Sequence, residues 1–530
     1  MLGGVSRGSR IGAARRPAVR VPGLALLLAI TFVVTGCTTV RGEWTGPDTR
    51  SSSPTKAPDV GSPTEPAVRL DLERRPGGSR VKAASRNPAT DHGATLLRDG
   101  KRTRLWWCGR NRDPKLARRG GRLSRSGTVI LHASARTLEG RFTSTGRAKR
   151  GEKRGKPPRV ALAGSKGGFD AAHTCDPSVI KVDGVYYLYY TGTRGKSDAG
   201  NAIGLATSKN GVRWRRANGG KPIVRPARPK RNGYGAGRPA VVHLDGWFYL
   251  LFTDSTAGEG GNRGQFLLRS RDPAFRERVQ ALGERGFRTV HGTGAPRTWS
   301  IADAADADLM WVDLLDAFAV VHRTETGTML TFWDRGFSGH PYPRVTVRAS
   351  SKDGPGLLRT PSGHAPRSEL DPCERVPVDM VRATRGRPKR TAFRHVGVDL
   401  VGARGCLARA DAVRLLEGHA FPSPEHTMDL IVDGELLRVE RRSVATILAT
   451  EGTLAQRPHL PELDVTARLN SGAPVLRSRD GQTGLLLDDG RLWPLREPAL
   501  AKRIARRNES HVRTVGDIAW GAYPVASVLG

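Results

Sequence analysis

The side chains able to do chemistry cluster at the starts of short apolar runs. His173-Thr174-Cys175-Asp176 places an imidazole, a sulfur and a carboxyl within four residues, directly before Pro177. Such a run could ligate a soft divalent metal, but a metal centre needs a second ligand cluster and none accompanies it. No metal or other cofactor is therefore expected. Asp176 before a proline suits acid–base work, and equally a turn cap. At the matching place of a later run, Arg238 precedes Pro239, where a guanidinium can hold hydroxyls or a carboxylate through paired N–H donors. Further carboxyls stand at Asp91, Glu259, Asp306 and Asp308. Trp106, Trp107, Trp214 and Trp247 offer flat apolar faces for stacking or for core packing.

These groups need strands to hold them. Residues 169–191 (FDAAHTCDPSVIKVDGVYYLYYT) and 233–254 (GYGAGRPAVVHLDGWFYLLFTD) follow one plan: a polar start, a short apolar strand, an Asp-Gly turn and an aromatic strand. A looser copy runs from Ala94–Leu97 through Asp99-Gly100 to Leu105-Trp106-Trp107-Cys108-Gly109. Asp183-Gly184 and Asp245-Gly246 suit two-residue hairpin loops. Another candidate unit runs through 308–313, 317–322 and 328–333, and one more must lie between about 340 and 400. Units recurring every roughly 60 to 85 residues, each a few short strands, predict a β-propeller. Its first strands would surround one axial pocket.

Cys175-Asp176-Pro177-Ser178-Val179-Ile180, Asp183-Gly184 and Tyr186–Thr191, with the parallel Arg238-Pro239-Ala240-Val241-Val242 and Phe248-Tyr249-Leu250, resemble the five-bladed propeller glycoside hydrolases, the superfamily of arabinanases, β-xylosidases and invertase-like enzymes. The resemblance spans about 91–350. It implies an all-β, five-bladed propeller whose three carboxylates surround a sugar, two of them acting across the scissile bond with separated pKa values. By position it implies Asp91 as the first carboxylate and Asp176 as the second. The superfamily sets a Glu where this chain has Arg238. A general acid must then come from Glu259, Asp306 or Asp308, with Asp308 at a strand start the preferred one. Otherwise the pocket binds sugar without cutting it, through Arg238, with Trp107 and His173 as further contacts.

The first residues read as an export signal. Arg7, Arg10, Arg15, Arg16 and Arg20 precede a short apolar run, 23–34, and Val34-Thr35-Gly36-Cys37 resembles a bacterial lipobox. Cys37 is expected to be lipidated, as in a palmitate-bearing lipoprotein, placing the chain on the outer face of the cell membrane. Arg15-Arg16 lacks the flanking pattern of twin-arginine export, which favours the Sec route. Residues 37–90 read as a tether too polar to fold. Five cysteines are present. With Cys37 acylated, the other four allow three pairings, and the repeats favour Cys108–Cys175 and Cys373–Cys406.

Lysine and arginine total 87 against 50 acidic residues, a formal charge of +37. The densest basic stretch, 101–159, lacks interleaved stacking aromatics, so nucleic acid is not expected as a partner. Anionic headgroups, wall phosphates or plain solvent all suit such a surface. From 395 onward the texture changes to hairpins followed by short helices, around 398–413, 428–444 and 485–500. The expected organisation is a signal peptide (1–36), a tether (37–90), a propeller (91–394) and a small C-terminal α+β repeat module (395–530). The expected function is a glycoside hydrolase acting on arabinose- or xylose-containing glycans, or a cell-wall polysaccharide binder that lacks the acid.

Overall fold

The computed structural model describes residues 68–76, 80–83, 91–110, 128–144, 158–195, 199–228, 233–257, 264–348, 353–386 and 390–530. They belong to one compact unit, Ser62–Gly530. The expected signal peptide, Cys37, part of the tether and Glu259 lie outside the described residues.

Strands dominate and helices are few. β1 (Asp71–Arg74) and β2 (Lys82–Ala83) precede the first meander, built of β3 (His92–Asp99), β4 (Arg102–Arg110) and β5 (Thr128–Ala135). The short β6 (Arg141–Phe142) pairs with β2, and β7 (Arg159–Leu162) pairs with β5. A second meander follows as β8 (His173–Val182), β9 (Val185–Thr193), β10 (Ala202–Ser208) and β11 (Arg215–Arg216). The third comprises β12 (Ala236–Leu244), β13 (Trp247–Asp254), β14 (Gly264–Ser270), β15 (Gln280–Gly283) and β16 (Gly286–Thr289). The fourth comprises β17 (Ala307–Val312), β18 (Ala317–Arg323), β19 (Gly327–Trp333) and β20 (Val345–Arg348). The last is β21 (Gly356–Arg359), β22 (Arg375–Gly386) and β23 (Arg390–Val401), with β1 added antiparallel on β23.

Sequence chemistry explains the hairpins. Asp183 and Gly184 take φ of 48° and 75°, and Asp245 and Gly246 take 50° and 76°. Both central residues are left-handed, the geometry that matches the twist of the flanking strands. Alternation of side chains along each strand then fills the spaces between sheets. Trp106, Val179 and Leu188 pack between the first and second meanders, and Ile180, Tyr189, Val241 and Leu250 between the second and third. Val242, Leu251, Leu309 and Phe318 join the third to the fourth, and Val321, Leu330, Met380 and Val398 join the fourth to the last. Leu96, Trp107, Val381 and Phe393 join the last to the first. Each fully buried side chain of this size stabilises by about 1.5–3 kcal/mol.

The first strands of all the meanders meet at Arg359, which is fully buried on β21. Its Nη1 donates to the carbonyls of Val241 (3.1 Å) and Leu309 (2.9 Å), and its Nη2 to Thr95 Oγ1 (2.9 Å) and Ser178 Oγ (3.3 Å). One side chain thus binds β12, β17, β3 and β8, a propeller-type convergence of first strands on one axis. The loop after β21 closes one end of that axis: Pro361 and Ser362 accept from the amides of Lys181 and His243, at 2.7 and 2.8 Å.

Two features depart from the expected segmentation. Asp71–Arg74, inside the stretch read as a tether, is a strand of the last sheet. β23 runs across the 394/395 boundary, so in place of the hairpin expected at 398–407, residues 398–401 end that strand and a loop and turn lead on to the next helix. The polar composition around β1 hid it, because its four residues gain their order from β23 and not from their own burial.

Beyond β23 the helix Arg409–Leu416 leads to β24 (His419–Pro422), β25 (Met428–Val432), β26 (Glu435–Val439), helix Arg442–Leu448, β27 (Gly452–Thr453) and β28 (Val465–Leu469). A second small sheet holds β29 (Val475–Arg477), β30 (Thr483–Leu486), β31 (Leu492–Pro494) and β32 (Val512–Thr514), with helices Pro498–Arg507 and Asp517–Gly521. The expected hairpin-then-helix order is found at β25–β26 and at β30–β31. Asp433-Gly434 makes the same left-handed turn, at 47° and 79°. Both disulfides form as the repeats favoured. Cys108–Cys175 ties the first meander to the second, and Cys373–Cys406 ties the last to the C-terminal module.

Candidate functional site

The starts of β3, β8 and β12 share a backbone device. β3 slips register against β4 between His92 and Ala94, β8 against β9 between Cys175 and Ser178, and β12 against β13 between Gly237 and Ala240. Each slip is a bulge, and each holds a residue at positive φ: Gly93 at 54°, Asp176 at 44° and Arg238 at 53°. Proline follows two of them. It has no N–H for the ladder, so the strand kinks there, and the bulge turns the preceding side chain toward the axis. Left-handed backbone costs a non-glycine residue about 1–2 kcal/mol, so Asp176 and Arg238 are held in strain by the sheets around them.

These bulges ring an open depression lined by Asp176, Arg238, Asp306, Asp308 and Asp353 with their small neighbours. Gly93 forms its floor between two carboxylates. Its amide donates to Asp353 Oδ2 at 2.9 Å, and a methyl group built on it would stand 2.8 Å from Asp176 Oδ1. A side chain there would collide with Asp176, so this bulge requires glycine on steric as well as conformational grounds. Tyr234 Oη donates to Asp176 Oδ2 at 3.4 Å, and burial raises the tyrosine pKa, with the Asp176 charge adding to the rise.

Arg238 is the centre of charge. It forms an ion pair with Asp306, donates to the Ala305 carbonyl at 2.9 Å and lies over the Tyr234 ring at 5.3 Å. Its amide donates to Thr191 Oγ1 at 2.7 Å, fixing the bulge to β9. Burial alone would lower the guanidinium pKa; Tyr234, Asp176 and Asp353 more than offset it, and the pKa rises.

Asp308 is differently employed. Its Oδ1 accepts from its neighbour Leu309 N at 2.9 Å and faces Arg359 Nη1 at 3.2 Å, while Oδ2 accepts from Leu357 N at 2.8 Å. A carboxylate with both oxygens so engaged anchors β17 to β21 and is poorly placed to give a proton. The general-acid role expected for Asp308 therefore does not fit its surroundings.

The other sequence candidates stand back from the depression. Asp91 is buried beneath it, its Oδ1 3.3 Å from where a side chain on Gly109 would begin; the bulge position matching Asp176 is Gly93, two residues on. Trp107 is fully buried and meets Phe393 edge-on at 6.4 Å, so it fills the space between sheets and offers no stacking face. His173 is buried, bonded to Thr128 Oγ1, and burial lowers its pKa despite the opposing charge of Asp176. Cys175 Sγ is bonded to Cys108, which removes the thiolate from the His173–Cys175–Asp176 and His92–Cys108–Cys175 groupings.

Sequence reasoning missed Asp353, Gly93 and Arg359. Asp353-Gly354-Pro355 carries a weak signal: like Asp176-Pro177 and Arg238-Pro239, it is a charged residue at a proline before an apolar strand. Asp306 was named only as an alternative acid; it packs over Gly354, where an added methyl would fall 2.4 Å from its Cβ.

No protein-family model matches the chain, and no curated protein does. Among solved structures it is similar to Zg3597, a family 117 glycoside hydrolase of Zobellia galactanivorans, at 10% identity and a TM-score of 0.40, over 64% of this chain and 92% of that one. The catalytic domain of the Coprinopsis cinerea GH62 α-L-arabinofuranosidase is similar at 9% identity and 0.34, over 63% and 97%. Fructan 1-exohydrolase IIa of Cichorium intybus is similar at 11% identity and 0.36, over 62% and 57%. These are likenesses of fold, and none bears on the residues that line the depression.

Proposed function

We propose that this chain is a five-bladed β-propeller of the glycoside-hydrolase type that holds a neutral glycan, rich in arabinose or xylose, in the axial depression without cleaving it. One observation carries the reading: Arg238 occupies the strand start at which the resembling superfamily sets its acidic Glu, and its guanidinium is committed to Asp306. A guanidinium has donors and no proton to give at ordinary pH. Asp306 and Asp308 are each engaged by an arginine. Asp176 and Asp353 remain to accept from sugar hydroxyls, with Arg238 beside them as donor. Such a mixed rim suits a polyol, whose hydroxyls both give and take hydrogen bonds.

A hydrolytic reading rests on a different observation. Asp176 and Asp353 flank the same residue, Gly93, and two carboxyls across a small pocket are the minimum for glycoside hydrolysis. Arabinan, xylan, arabinogalactan and their aryl-glycoside surrogates separate the two. Binding by calorimetry without sugar release supports the first reading; release abolished by Asp176→Asn supports the second; neither binding nor release overturns both.

We further propose that the protein is anchored at Cys37 outside the cytoplasmic membrane, a reading carried by the Val34–Cys37 motif. Incorporation of an alkyne-tagged palmitate, abolished in Cys37→Ser, is the expected result; equal labelling of both forms overturns it.

A further inference from the structure

In sequence, His173-Thr174-Cys175-Asp176 has no second ligand cluster beside it. The fold supplies one. His92 on β3 and Cys108 on β4 are register partners, and His92 Nε2 lies 3.2 Å from Cys175 Sγ on β8. The ligand atoms of His92, Cys108 and Cys175 fall within 4.8 Å of one another, and so do those of His173, Cys175 and Asp176. Cys175 is common to both groups.

His173 is prepared as a ligand. It is buried, and its Nδ1 is bonded to Thr128 Oγ1, which leaves Nε2 to bind. A ligating imidazole usually holds such an outer partner on its other nitrogen, which fixes its tautomer and ring orientation. Burial lowers the His173 pKa and favours the neutral ring, the form that ligates. Both sulfurs are fully buried, and a buried site favours an ion whose charge its ligands cancel. A divalent cation between two thiolates meets that condition.

We infer that Cys108, Cys175, His92 and His173 form a zinc site when the Cys108–Cys175 bond is reduced. A dithiol supplies the two electrons and two protons: the S–S bond breaks, two thiols form, and the reductant closes to its own disulfide. On binding Zn²⁺ the thiols release their protons to solvent. Two sulfurs and two imidazole nitrogens suit the tetrahedral preference of zinc. Asp176, the remaining member, stays with the axial depression that it lines. Disulfide and metal tie the same strands, β4 to β8, so the joint between the first two meanders survives reduction. The inference is independent of the glycan reading.

Cobalt titration of the full-length chain tests it, before and after treatment with a phosphine, which delivers the same two electrons without competing thiols. The reduced chain should bind a single Co²⁺ ion with tetrahedral d–d absorption and a thiolate-to-cobalt charge-transfer band, and Zn²⁺ should displace it. The oxidised chain and reduced Cys175→Ser should lack both signals. Reduced Cys373→Ser with Cys406→Ser should keep them. His92→Ala and His173→Ala retain the cysteine pair, so a thermal melt checks their fold before reduction. Each should weaken cobalt binding by about tenfold or more, and Thr128→Val by about tenfold. A reduced parent without the charge-transfer band overturns the proposal, as does a band that survives Cys175→Ser or ignores both histidine changes. So does a Cys108–Cys175 bridge that the phosphine fails to open in the folded chain, read by mass spectrometry after alkylation.

Discussion

Arg238 and Asp176 occupy the same backbone position on successive sheets: each precedes a proline, each sits in a bulge at the start of its strand, and their φ angles are 53° and 44°. The two side chains differ in charge but are aimed by the same device, so the position tolerates a change of chemistry without a change of fold. Asparagine populates left-handed backbone with little penalty. Asp176→Asn should therefore leave the melting temperature within about 2 °C of the parent and weaken glycan affinity about tenfold by losing a charged acceptor. Calorimetric titration and a thermal melt check both halves.

Arg359 is the fold's common joint. Removing it leaves Asp308 buried without its cation and strands acceptors on four strands. Arg359→Met should cost about 3–5 kcal/mol in guanidinium denaturation. Adding Asp308→Asn should recover part of that loss, since the pair is coupled.

How much of this was legible is best judged at particular residues. The Asp-Gly turns and the strands of the middle meanders follow from local pattern, because each is specified by a few adjacent residues, and the two cysteine pairings follow from the repeats. The ring of carboxylates does not. The resemblance implies Asp91 by position, yet the bulge that aims a side chain falls at Gly93, and no composition signal marks a register slip. Asp353 was missed because the last sheet interleaves the two ends of the propeller, its hairpin lying at 375–401 and its outer strand at 71–74. Trp107 shows the same limit: an aromatic in a strand does not announce which face is covered.

His132 makes a prediction about acid. It is fully buried against Trp106 at 4.9 Å, and burial, with Arg104, Arg102 and Arg159 nearby, pushes its pKa down to about 3 from 6.5. Below 6.5 the unfolded chain takes up a proton that the folded chain refuses, so stability rises with pH across that window. Between pH 6 and 4 this group should cost about 1.4 kcal/mol per unit. In His132→Phe the stability curve measured by urea should be flatter over the same range by that amount.

Asp379 acts lower on the scale. Burial alone would raise its pKa, but the bonds to His395 (2.6 Å) and Arg75 (2.8 Å) win and the pKa falls below 3.8. The stability it gives is present above the unfolded value and is lost as pH drops through the folded one. Asp379→Asn should therefore be destabilising at pH 6, and its deficit should shrink below pH 3.8. Denaturation midpoints at the two pH values decide it.

The Cys108–Cys175 bridge closes a separation of 67 residues. By loop entropy its loss should cost about 4 kcal/mol. Cys108→Ala with Cys175→Ala should show that loss in denaturation while the Cys373–Cys406 bridge, probed by mass spectrometry without reduction, stays intact.

The pairing of Asp71 with Val401 sets a clock on the molecule's birth. A chain synthesised from its N-terminus releases Asp71–Arg74 early, yet that segment has no strand partner until Arg390–Val401 arrives. Such distant closure is slow to form. Until then the waiting strand and the uncovered edge of β23 are each available to other chains, and the interval is one in which a chaperone or a high local concentration decides between assembly and aggregation.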